Sequence, residues 1–192
     1  MSNLLLLGVG DNPLEGAPPA PVGAIMFFAY YDRIAPAQNK YMATLFNTSS
    51  TRKVSIIRIW SLLNNLTVVT GVVHDSYIAR ITARTAGTAV TIRARDSNDS
   101  ISAGITADTN STAVTEAYIT KRFVGSSEES PVTVTSINTY NDRQAILLYE
   151  FFGRTGEKAE TLRLNEGITI RTLTASTVGV MSYCIEFIDE AA

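Results

Sequence analysis

From about residue 24 onward the chain runs in short segments in which apolar and polar residues alternate. Each segment stops at a cluster of Gly, Asn, Asp, Ser or Thr. A period of two sends successive side chains to opposite faces of an extended backbone, which is the signature of half-buried strands. The clearest strand segments are 53–60, 76–84, 89–95, 132–137, 144–152, 160–164, 168–173 and 178–188. In 89–95, Val90 and Ile92 oppose Thr91, Arg93 and Arg95; in 168–173, Ile168 and Ile170 oppose Thr169 and Arg171. A slip of one residue would expose each apolar set, so register is strongly specified. Breaks are expected at 47–50, 96–100, 108–111, 125–131, 141–142, 153–156 and 165–167. Single helical turns are expected only at 61–65 and 113–118.

The last segment carries Val178, Val180, Tyr183, Ile185 and Phe187 and is too apolar for a sheet edge. A final strand that returns to the middle of a sheet is typical of jelly rolls. The expected fold is therefore all-β, a jelly-roll-like sandwich or barrel. At 192 residues the chain fits one domain and can bury a core without disulfide or metal staples.

Residues 1–23 differ from the rest. They hold four of the six prolines, Pro13, Pro18, Pro19 and Pro21, together with several glycines. Proline fixes φ and lacks an N–H, so this stretch reads as an extended N-terminal arm joined to a single β domain over 24–192. Leu4, Leu5, Leu6 and Leu7 sit near its tip. Docking them on a protein surface would gain about 1.5–3 kcal/mol per side chain. The surface could belong to a neighbouring subunit or to the chain's own domain; an undocked, disordered arm is the third reading. Four leucines are too short for a signal-peptide core and no Lys or Arg precedes them, so production in the cytoplasm without export is expected. No stretch has the apolar length of a membrane-spanning helix.

Charged residues make up 18% of the chain and net charge is −2, with the arginines scattered among β-branched residues. Phosphate binding needs concentrated basic surface, so nucleic acid is not an expected partner. The single cysteine, Cys184, excludes an internal disulfide and lies in an apolar run that suits a buried, inert thiol. His74 is the only histidine and reads as a turn residue; with one Cys it cannot build a zinc site. The 96–99 stretch, Asp-Ser-Asn-Asp, lacks the glycine and glutamate of a calcium loop. Gly8 and Gly10 lack the strand and helix of a nucleotide loop. Glu150 and Glu186 lie in apolar strands and could form an acid–base pair on a sugar if within roughly 10 Å, although pairing with an arginine is the simpler expectation. No catalytic, cofactor or metal residues are assigned. Phe27, Phe28, Tyr30 and Tyr31 form an aromatic cluster that suits an interface or a first core strand, while Trp60 is expected in the core.

Residues 162–171, Leu-Arg-Leu-Asn-Glu-Gly-Ile-Thr-Ile-Arg, then 176–180, Ser-Thr-Val-Gly-Val, and 183–187, Tyr-Cys-Ile-Glu-Phe, complete the pattern. This C-terminal segment resembles that of small tailed-phage virion proteins, in which such a hairpin precedes a final strand ending in an aromatic. The resemblance implies a non-enzymatic decoration (cement) protein of a bacteriophage capsid, located in the virion and made in the host cytoplasm. Its implied partners are other copies of itself, as a homotrimer, and the major capsid protein, with the leucine and proline positions of the arm as clasp. A receptor- or carbohydrate-binding β-sandwich of a phage tail or fibre is the alternative.

Overall fold

The computed structural model describes residues 25–63, 69–130, 146–151, 158–173 and 179–192, without the side chains of 63–74 and 124–130. It is an all-β sandwich of two antiparallel sheets. The strands are β1 (Ile25–Ile34), β2 (Tyr41–Asn47), β3 (Arg52–Leu63), β4 (Val69–Thr85), β5 (Thr88–Val90) and β6 (Ile92–Ala94). They continue as β7 (Ile105–Thr109), β8 (Thr112–Ser130), β9 (Ile146–Glu150), β10 (Glu160–Leu162), β11 (Glu166–Thr172) and β12 (Met181–Ala191). The first sheet runs β10-β3-β12-β1-β6, with β9 also on β3; the second runs β5-β7-β2-β11-β4-β8.

The last strand lies between β1 and β3, and β11 lies between β2 and β4, so the end of the chain returns between its beginnings in both sheets. This is the jelly-roll-like arrangement expected from the apolar final segment. The strands β5, β6 and β7 form an insertion between β4 and β8 that widens one flank of both sheets.

Period two sorts β1 and β12 cleanly. Phe27, Ala29 and Tyr31 stand opposite Phe187, Ile185 and Tyr183 across the ladder, and all six are buried. The rings of Phe27 and Phe187 stack with centroids 5.9 Å apart. In β3 the pattern shifts phase. Glu186 pairs with Arg58 but Phe187 pairs with Ile56, which leaves Ile57 as the extra residue of a bulge. The bulge lets Ile56 and Ile59 both face the core although three positions apart.

Polar side chains bridge the two sheets at specific points. Tyr31 donates its hydroxyl to the Thr44 carbonyl at 2.7 Å, and Arg80 on β4 reaches Glu160 and the Thr161 carbonyl on β10 as well as Glu166. The 165–167 turn explains its own residues. Asn165 adopts φ 58°, and Glu166 binds both Arg80 and the Arg163 amide. A Cβ on Gly167 would sit 2.7 Å from the Leu45 carbonyl oxygen. The Asn-Glu-Gly turn thus carries the chain from β10 in the first sheet to β11 in the second, and the two strands do not pair as a hairpin.

Five expectations are corrected. The 61–65 turn is strand as far as Leu63, and 113–118 is strand within β8, because pairing with β12 and with β4 overrides weak local helix preference. The break expected at 125–131 is strand through Ser130, opposite Val69. Segment 89–95 divides at Thr91, with β5 in one sheet and β6 in the other, so Val90 and Ile92 both pack against the core. His74 lies within β4 opposite Gly125 and not at a turn. The expectations for 132–137, 141–142, 153–156 and the arm fall outside the described residues.

Burial raises the phenol pKa of Tyr31 and Tyr183, and burial plus the Glu116 carboxylate pushes Tyr41 up to about 12. Unfolded phenols ionise near about pH 10. The folded state therefore holds more protons above that pH, so this stability is present below about pH 10 and is lost as pH climbs towards the raised values. The expected result is a urea midpoint that falls above pH 10, with phenolate absorbance appearing together with unfolding. A midpoint unchanged well above pH 10 would contradict it.

Candidate functional site: the outer face of the first sheet

The residues of β1, β3 and β12 that do not face the core form rows across the sheet. One row is Arg93, Phe28, Glu186, Arg58 and Glu150; the next is Tyr30, Cys184, Trp60 and Leu147. Directly opposed residues share a face, so these rows bring together side chains far apart in sequence. Tyr30 is 37% exposed, and its ring lies 6.2 Å from that of Trp60 at 45°. The two rings wall a groove of about 240 Å³, with Met26, Phe27, Phe28, Cys184, Glu186 and Arg95 completing its lining. Ile25, Met26, Arg95 and Asp96 line a depression that continues it.

The charges on this face are unevenly matched. Arg58 donates to Glu150 through Nη2 at 2.7 Å and Nε at 3.0 Å, while Glu186 stands 3.9 Å from Arg58 Nη1. The Glu186 side chain is only 16% exposed. A half-enclosed carboxylate with one distant cation retains capacity to accept hydrogen bonds. Arg58 stands between Glu150 and Glu186, in the space a substrate of an acid–base pair would need. Burial pushes the Cys184 thiol up to about 12, aided by Glu186, as befits an inert thiol.

The second sheet holds a different cluster. Glu116 accepts hydrogen bonds from Tyr41, Tyr77 and Arg171, and the Arg171 guanidinium lies 5.2 Å from the Tyr41 ring centre and 5.8 Å from that of Tyr77. These bonds tie together β2, β4, β8 and β11. In the 96–99 loop, Asp96 accepts the Asn98 amide at 2.9 Å and holds a turn. Among the described residues no three His, Cys, Asp or Glu side chains cluster as metal ligands.

No family model, curated protein or solved structure matches this chain.

The interface aromatics of the sequence analysis separate by parity. Phe27 and Tyr31 are enclosed in the sandwich at 1% and 0% exposure, whereas Phe28 and Tyr30 reach the outer face. The assembly-arm residues Leu4, Leu5, Leu6, Leu7, Pro13, Pro18, Pro19 and Pro21 lie outside the described residues. Trp60, expected in the core, is half-buried on the outer face. Its parity with Arg58 was the available signal. Arg95 was read only as strand polarity, and nothing local marks it as a groove residue.

Proposed function

We propose that this chain is a non-enzymatic structural protein of a phage virion, which decorates a capsid and associates with copies of itself as a trimer. The observation that carries this reading is the jelly-roll-like sandwich with an apolar flank. Viral capsid domains are among the proteins built on such sandwiches. Strands β8, β9 and β10 lie on one flank of the two sheets, joined by Tyr118 donating to Glu160 at 3.1 Å. That flank exposes Tyr118, Ile119, Ile146 and Leu147, each about half accessible. Solvated, these side chains gain nothing; covered by another copy, they contribute roughly 25 cal/mol per Å² of apolar surface removed from water. Edge strands also carry unpaired backbone groups that a neighbour can satisfy. The arm supplies a second contact through its leucines and supports binding to a major capsid protein.

Native mass by light scattering tests this on the full chain, on Ile119→Glu with Leu147→Glu, and on the chain lacking residues 1–21. The expected results are a trimer for the full chain, dissociation in the flank double variant, and weakened assembly or capsid binding after truncation. A full chain that stays monomeric at all concentrations and does not bind capsids overturns the reading.

A further inference from the structure

The groove lined by Tyr30 and Trp60 has a chemistry that the assembly reading leaves unused. We propose that it is a carbohydrate-binding site that takes a single hexopyranose ring of a surface glycan.

Four features point to a sugar. First, Tyr30 and Trp60 pack against each other with centroids 6.2 Å apart at 45°, and both line the groove. One face of a pyranose is a layer of C–H groups, which stacks on such rings. Second, the rim is polar in both senses. Glu186 provides a carboxylate whose one cation is 3.9 Å away and already engaged at 2.7 Å by Glu150. Arg95 provides a guanidinium for which the described residues supply no ion pair. Sugar hydroxyls donate to the first and accept from the second. Third, the size fits: about 240 Å³ lies below the roughly 300–1,000 Å³ of sites for drug-sized ligands. Fourth, other ligands fit less well. The groove lies over β1, β12 and β3, and β12 is paired along both edges, so no free backbone ladder is offered to an extended peptide. A hydrocarbon chain would desolvate Glu186 and Arg95 without replacing their hydrogen bonds, which is costly.

None of the exposed flank residues lines the groove, although Leu147 of β9 stands opposite Trp60 across the ladder, so the inference does not require self-association. Trp60 is the only tryptophan in the chain, and its emission reports directly on the groove. The full-length protein is screened on a glycan array. It is then titrated with the methyl glycosides of glucose, galactose, mannose and N-acetylglucosamine while Trp60 fluorescence is followed. A saturable change with at least one sugar is expected, in the millimolar range of weak single-ring binding. Glu186→Gln and Arg95→Ala should each weaken it about tenfold, as loss of a hydrogen bond to a charged group does. Tyr30→Ala should abolish it. Arg95 is exposed, so that variant keeps the fold and separates a binding defect from misfolding. An array without hits, together with no saturable change, overturns the proposal. So does sugar binding that is unaffected in all three variants, which would place the site elsewhere. Trp60 emission that changes on dilution without sugar and is insensitive to sugar would mean that a second copy or the arm fills the groove, and it overturns the proposal as well.

Discussion

Replacing Phe187 by alanine is expected to lower the free energy of unfolding by about 4 kcal/mol, the range of buried Phe→Ala substitutions. Phe187 is fully buried near the middle of the first sheet, stacks on Phe27, and lies opposite Ile56 across β3. Removing the ring forfeits its transfer from water and leaves a cavity between strands whose hydrogen bonds prevent collapse. The same change at Tyr30, on the outer face of the same strand pair, should cost well under half as much. Urea unfolding of both variants checks the contrast. Equal losses at the two positions would mean that the inward and outward faces are assigned wrongly.

Arg80→Met is the second large effect, expected at about 3 kcal/mol. The Arg80 side chain is 9% exposed and sits between Glu160 at 18% and Glu166 at 31%, with a further bond to the Thr161 carbonyl. Loss of one partner of a buried ion pair costs more than the pair contributes, because the remaining charge is left without compensation; about 3–5 kcal/mol is usual, and the partial exposure of both carboxylates puts this case at the lower end. Two carboxylates would then face each other where the sheets meet. Adding Glu166→Gln to Arg80→Met should restore part of the loss. If the double variant is no more stable than the single one, uncompensated charge is not the cause and lost packing of the arginine stem would be.

The two variants probe different levels of legibility. Phe187 can be assigned to the core by counting in twos along 183–187, because a strand repeats every second residue and the apolar set is unmistakable. Arg80 cannot be read this way. Its neighbours Ile78 and Ile81 are buried, and an arginine between them looks like the wet face of a strand. Its role comes from β10, about eighty residues later in the chain. The short helical turns expected at 61–65 and 113–118 failed for a related reason. Local preference there is weak, and long-range ladders decided the conformation.

The candidate site divides in the same way. Tyr30 was legible as an aromatic in an early strand, and Glu186 as a carboxylate in an apolar one. That Tyr30, Cys184 and Trp60 form one row was not, since it depends on the register of three strands and on the bulge at Ile57, which resets the phase of β3. Periodicity in the sequence determines which side chains share a face of their own strand. It determined the all-β class, the inward apolar sets of β11 and β12, and the central place of the final strand. Only the tertiary structure decided which strands lie side by side and in what register. Those pairings form between residues distant in the chain, and the groove and the Arg80 bridge exist only where they do.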